Sequence, residues 1–259
     1  MEVDRKTFVA GPGSKAEALS SEERADALEE SMMRQLDKAA PAQTRGVRRG
    51  TGLLFGGLTP GGLPLALAAL APMPERPTIV DFFRLRFMPH TVTHMLQSAN
   101  DAQKKGEPEE TMLACLLHDI AVNLIKVDHG WWAAQMVEPY VSEKVCWAIR
   151  HHQALRFFPD PSVGYGYPER YVQIFGEGYV PEPYIKAAYE QARKHKWYME
   201  ARMITVHDLY AFEPGVKVTL DPFIDVIGRH FKQPKEGLGF DGSPVAHMWR
   251  SLIYPDNPL

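Results

Sequence analysis

From Thr78 onward the polar and apolar positions of this chain follow a helical period. The run "TIVDFFRLRF" predicts a short helix that breaks before Pro89. A new helix restarts in "PHTVTHMLQSANDAQKKG", with Pro89 in the first turn, where its missing N–H costs nothing. Val92, Met95, Ala99 and Ala102 form its apolar stripe and Gly106 ends it. Further helices are predicted in "EETMLACLLHDIAVNLIKV", "GWWAAQMVEPYV", "SEKVCWAIRHHQAL", "PYIKAAYEQARKH" and "WYMEARMITVHDLYAF". Upstream, Ser20 and Glu23 make a capping box for a helix whose Leu28, Met32 and Leu36 recur at helical spacing. Strand-like alternation is confined to "GVKVTL" at 215–220. The pattern therefore predicts an all-α protein: a helical core over 78–212, an N-terminal extension over 1–77 and a C-terminal extension over 213–259. Residues 40–77 are rich in Gly and Pro and read as a wrapping segment. The Gly/Pro-punctuated C-terminus either wraps back on the core or forms a subunit contact.

Two stretches depart from this rhythm. Residues 157–184, "FFPDPSVGYGYPERYVQIFGEGYVPEPY", have no period and carry five tyrosines. Loops of that length are usually functional or disordered, and the aromatic content argues against disorder. We read the segment as a lid or pocket wall, with Tyr165, Tyr167 and Tyr171 as candidate lining residues, or as a loop whose rings only fasten it to the helical core. The second is "MLACLLHDIAVNLIKVDHGWW" at 112–132, where an apolar run closes in His118 and Asp119 and His129 follows. A buried imidazole and carboxylate without partners would incur a penalty of about a few kcal/mol, which a metal ion would offset. Trp131 and Trp132 read as core packing.

Composition narrows the function. The chain has 259 residues, a net charge of −3 and 45% hydrophobic content, enough for a large core. No basic face of the kind nucleic acid needs is evident; the densest cluster, "RGVRRG" at 45–50, reads as a solvated loop. The N-terminus has no signal-peptide pattern, and "GGLPLALAALAPM" at 61–73 is too short and broken to span a bilayer. Cys115 and Cys146 lie in apolar helical patterns and read as buried free thiols. A cytoplasmic protein acting on a small molecule, with no nucleic-acid or membrane partner, is the expectation; a homo-oligomer stays open.

The candidate metal ligands run in order along the helices: His94, His118, Asp119, His129, His152 and Asp208. Imidazole and carboxylate suit iron, manganese, zinc and related ions. A lone histidine on a helix is more often a satisfied or exposed side chain. Here the ordered set, each member beside an apolar face, carries the reading. Consecutive helix residues diverge by about 100°, so His118 can bind one ion while Asp119 bridges to a second. His90, Asp128, His151 and His207 neighbour these ligands and are expected to orient them by hydrogen bonds or to be exposed. His195, His230 and His247 are expected to be structural.

The order H…HD…H…H…D, with HD closing an apolar helix, resembles the HD-domain superfamily of metal-dependent helical enzymes over roughly residues 78–212. It is most similar to the mixed-valence diiron oxygenases, namely the organophosphonate-oxidising enzymes and myo-inositol oxygenase. "RHHQALRFF", with Arg156 one turn beyond His152, and "ARMITVHDL" carry that likeness. The resemblance implies an HD-domain helical bundle and an Fe(II)/Fe(III) pair. One iron would take His94, His118, Asp119 and Asp208. The other would take Asp119, His129 and His152, with Asp119 bridging. It further implies O2 as oxidant, C–H abstraction with C–C or C–P cleavage, and a small hydroxylated, anionic or polyol-like substrate. Arg156 would hold an anionic group or else form a surface salt bridge. The alternative is a binuclear phosphohydrolase of the same superfamily, using Mn, Co, Mg or Zn on a nucleotide or phosphate ester. A non-catalytic relative would be expected to lack ligands, and none of the six is missing.

Overall fold

The structure is a computed structural model. It describes residues 71–254 except Lys126, Tyr210, Phe212 and Pro214, and not the side chains of Arg170 and Ile174. The helix expected after Ser20, the "RGVRRG" cluster and nearly all of the Gly/Pro-rich segment lie outside the described residues. Among those described are ten α-helices and two 3-10 turns. The helices are α1 Ile79–Leu85, α2 Pro89–Lys104, α3 Glu109–Leu117, α4 His129–Val137 and α5 Glu143–Leu155, then α6 Glu169–Phe175, α7 Pro183–Ala192, α8 Tyr198–Leu209, α9 Ile224–His230 and α10 Ala246–Ile253. The all-α expectation holds.

Local chemistry sets the ends. Thr78 caps α1 in a capping box with Asp81, whose carboxylate accepts from the Thr78 N–H at 2.8 Å. Met88 is extended because a proline follows it, which separates α1 from α2. Gly106, at φ +74°, ends α2 in the left-handed conformation that glycine adopts without strain. Ser142 caps α5 by accepting from Val145 N–H.

Helix α3 is the centre of the bundle. All seven residues from Thr111 to Leu117 are buried, as befits a helix that is apolar all round, and it packs against α2, α5, α8 and α9. It is shorter than its sequence pattern, because His118 caps it and residues 118–124 continue as turns. The histidine and aspartate therefore stand at the helix end, in the core.

Four expectations are corrected. "GVKVTL" is not a strand. Its alternation is visible in burial, but the Gln97 side-chain amide takes the carbonyls of Glu213 and Val216 at 2.9 and 3.0 Å, and no partner strand lies beside it among the described residues. The 157–184 stretch is not wholly irregular: it contains α6 and the turn Pro161–Val163. Trp131 and Trp132 are not core. In α4 the buried positions are 129, 130, 133, 134, 136 and 137, so the pair falls on the outer face, edge to face with each other at 4.9 Å. His207 does not orient a ligand, as detailed below.

The C-terminal segment wraps back on the core. Trp249 of α10 is fully buried, donates its indole N–H to the Met136 carbonyl at 3.0 Å and meets Phe82 edge-on at 4.8 Å. Tyr140 ties in the preceding turn through Asp241 and Ser243 at 2.8 and 2.7 Å. Cys115 and Cys146 are buried free thiols. No helix among the described residues is long and apolar enough to cross a membrane.

Candidate metal centre

Five helix ends or faces deliver polar side chains to one buried place. His94 comes from the middle of α2, His118 and Asp119 from the end of α3, His129 from the first position of α4, His152 from the last turn of α5 and Asp208 from the last turn of α8. All six are buried. Asp128 turns the chain into α4 in the left-handed conformation, φ +54°, the one non-glycine residue with positive φ among those described. Short polar side chains tolerate that region better than most. Its role is thus in backbone direction, setting where His129 begins.

Five of the six side chains form two overlapping groups that share His118, and His129 stands beside Asp119. His94, His118 and Asp208 can offer ligand atoms within 4.8 Å of one another, and so can His118, Asp119 and His152. Asp119 faces both. Its Oδ2 lies 3.4 Å from His94 Nε2, while its Oδ1 lies 2.9 Å from His129 Nε2 and 3.8 Å from His152 Nε2. Asp208 Oδ1 is 3.0 Å from His94 Nε2 and 3.9 Å from His118 Nε2.

The imidazoles are aimed by backbone carbonyls, a feature sequence reasoning missed. His118 Nδ1 lies 2.8 Å from the Cys115 carbonyl and His152 Nδ1 2.7 Å from that of Ile149, each three residues back on its own helix. His94 Nδ1 lies 3.1 Å from the Ala211 carbonyl. A carbonyl can only accept, so Nδ1 carries the proton and, in the neutral ring, Nε2 presents a lone pair to the centre. His94 Nε2 and His118 Nε2 then stand 3.3 Å apart, an arrangement that asks for a cation between them.

The remaining polar atoms fit a metal. His152 Nε2 is buried without a hydrogen-bond partner, the condition a folded protein avoids unless something else satisfies it, and Asp119 Oδ1 and Asp208 Oδ1 face the imidazole nitrogens of His129 and His94 at 2.9 and 3.0 Å. Burial holds His118 and His152 below the ordinary imidazole value, in the neutral form that binds metal. Burial also opposes charge on Asp119 and Asp208. Their neighbours outweigh it, the His118 and His129 rings for Asp119 and Arg156 for Asp208, and both are held below the usual carboxylate range. For His94 burial is likewise outweighed, by hydrogen bonds to Asp119 and Asp208, which raise it to about 10. These buried His/Asp clusters can hold metal ions.

Around the centre the other candidates separate. Arg156 Nη2 lies 3.0 Å from Asp208 Oδ2 and its guanidinium 5.4 Å from the Tyr171 ring, while its Nε is buried without a partner. Tyr167 meets Tyr171 at 5.9 Å, and its hydroxyl is buried and unpaired. Tyr165 is engaged structurally: its hydroxyl donates to the Arg156 carbonyl at 3.0 Å and its ring lies 5.0 Å from the Arg202 guanidinium. His151 packs on Trp147 at 4.4 Å, away from His152, and burial lowers it to about 4. His207 faces α2, with Nδ1 2.7 Å from Asp101 Oδ2 and Nε2 3.4 Å from Glu107 Oε1. His90 is exposed. Of the four expected orienting residues, none hydrogen-bonds a ligand in the described contacts.

Two further residues carry the site and were not anticipated. Gly130 lets α4 approach α5 at His152, and Arg202 is a fully buried cation under the end of α5. Their signals in sequence were a glycine inside a helix and an arginine in the apolar run "ARMITV". Compared with protein-family models and with curated proteins, the sequence matches none.

Proposed function

We propose that the chain is a binuclear metal enzyme of the HD-domain kind, and within it a diiron oxygenase acting with O2 on a small hydroxylated anion. The observation that carries the reading is Asp119. Its Oδ2 faces His94 while its Oδ1 faces His118, His129 and His152, so the two oxygens look to different imidazoles, as a bridging carboxylate would. The first ion would be held by His94, His118, Asp119 and Asp208, the second by Asp119, His129 and His152. An Fe(II)/Fe(III) pair would supply one-electron oxidation by O2, chemistry that belongs to the metals.

The protein's part is to position and to exclude water. The three carbonyl-bound histidines keep fixed tautomers. Asp208 holds Arg156 beside the centre, where burial opposes the guanidinium's charge and Asp208 outweighs it, so the cation is available to an anionic substrate group. Tyr171 and the strap that bears it lie over that cation and limit access of bulk water.

The test is metal content by mass spectrometry on anaerobically purified protein, then EPR after partial oxidation. About two irons per chain and a mixed-valence signal are expected from the ligand set. Two ions that are not iron, together with phosphate release from nucleotides or phosphate esters, would put a phosphohydrolase in its place, since the same ligands can activate water.

A further inference from the structure

Beside the metal centre the strap between α5 and α7 carries a row of aromatic rings that the reaction chemistry does not call for. It begins at Arg156, under Tyr171. Tyr171 meets Phe157 at 5.9 Å and Phe175 at 6.0 Å; Phe157 meets Phe175 at 5.7 Å and Tyr179 at 5.7 Å; Phe175 and Tyr179 stack at 4.7 Å. The row is not sealed at its outer end. Phe175 is 42% exposed and Val180, just beyond, 78%. Rings serving only to fasten the strap would be expected to end buried, as Tyr165 does nearer the core.

Two unsatisfied polar atoms lie along the same row. Arg156 Nε at its inner end and the Tyr167 hydroxyl beside Tyr171 are both buried without partners. A cation with a free donor, next to apolar faces that continue to solvent, is the pattern of a ligand site with one charged end and an apolar body. Inositol-like polyols would leave the ring faces unmatched.

We propose that this site takes an organic anion with an alkyl or aryl body, its charged group at Arg156 and its body against Tyr171, Phe157 and Phe175. The proposal deepens the functional reading by naming the substrate class and rests on it for placing the reacting carbon at the metals. A carboxylate and a phosphonate would satisfy Arg156 alike, and the test separates them.

The experiment is calorimetric titration of the full-length, metal-loaded protein with methyl-, propyl-, hexyl- and phenylphosphonate and with the matching carboxylates. Affinity is expected to rise up to about fourfold per methylene until the row is covered, making hexyl- or phenylphosphonate, or its carboxylate counterpart, at least about tenfold tighter than the methyl compound. The series with the lower Kd at equal length identifies the head group. Phe175→Ala should shrink the hexyl-to-methyl ratio toward one, and Arg156→Met should weaken every anion about tenfold or more. Phe175 is exposed, so its variant is expected to fold; Tyr167→Phe is a second, milder probe, expected to weaken the phenyl compound a few-fold. Equal affinity for methyl and hexyl anions, or an unchanged ratio in Phe175→Ala, overturns the proposal. Two irons with no dependence on body size sink this inference alone. A body-size dependence in a protein without iron or O2 uptake sinks the oxygenase reading alone.

Discussion

Gly130 touches His152 across the α4–α5 contact so closely that a Cβ on it would stand 2.8 Å from the imidazole Cε1 and 2.7 Å from the Ile149 carbonyl. That carbonyl is the group that aims His152, so one added methyl collides with both ring and support. Gly130→Ala is expected to cost about 1–3 kcal/mol, the usual range for overpacking, and to lower the metal content. Gly228→Ala in α9, where a Cβ meets nothing within 4 Å, should instead stabilise by about 0.5–1 kcal/mol. Thermal unfolding and metal analysis of the two variants check the pair.

Asp119 is the only carboxylate placed near both imidazole groups among the described residues. Asp119→Ala should halve or empty the metal content while far-UV circular dichroism keeps the helices, because the apolar wall of α3 is untouched. Retention of two metals per chain in this variant would mean that Asp119 does not bridge.

Acid stability should depend on a clamp far from the metals. Glu109 of α3 accepts from Arg229 at 2.9 and 2.6 Å and pairs with His230 at 2.7 Å, joining α9 to α3. The Arg229 bonds foremost, then His230, depress its carboxyl to about 2. A depressed carboxyl contributes stability that is present above the ordinary value of 4.5 and is lost as pH falls through about 2. Glu109→Gln should therefore melt below wild type at pH 6 and equal it near pH 2. Because the clamp is exposed, the difference should shrink in about 1 M salt. A melting curve series over pH and salt decides it.

The sequence carried the helices because their period and caps are local: Thr78 with Asp81, Pro89, Gly106 and Ser142 each act within a turn or two of the chain. Ligand identity was equally legible, since a histidine or aspartate ending an apolar run announces itself at His118–Asp119 and at His152. What escaped was long-range. Nothing local tells that the amide of Gln97 occupies the backbone groups of Glu213 and Val216 in place of a strand, that Trp131 and Trp132 face outward, or that His207 turns to Asp101. The carbonyls of Cys115, Ile149 and Ala211 escaped for another reason: every residue has one, and only the folded geometry selects which three orient imidazoles.

Arg202 gives the last prediction. Its guanidinium is fully buried and donates to the Leu155 carbonyl at 3.0 Å and to the Tyr198 hydroxyl at 3.1 Å, with Asp160 Oδ2 3.6 Å away. Tyr198 in turn donates to Asp160 at 2.6 Å, so one cation joins α8, the end of α5 and the root of the strap. Arg202→Met removes the charge but leaves Asp160 partly buried and the Leu155 carbonyl with only the Phe158 N–H, 3.1 Å away. Breaking one side of such a pair costs about 3–5 kcal/mol, with the lower end expected here because Asp160 keeps its bonds to Ser162 and Tyr198. The local consequence should be larger than the global one. Since His152 and Arg156 both lie within a turn of Leu155, limited proteolysis should cut the 157–184 strap sooner in the variant, and metal retention should fall with it. A variant that melts several degrees lower yet shows unchanged strap cleavage would mean that Arg202 supports the bundle and not the strap.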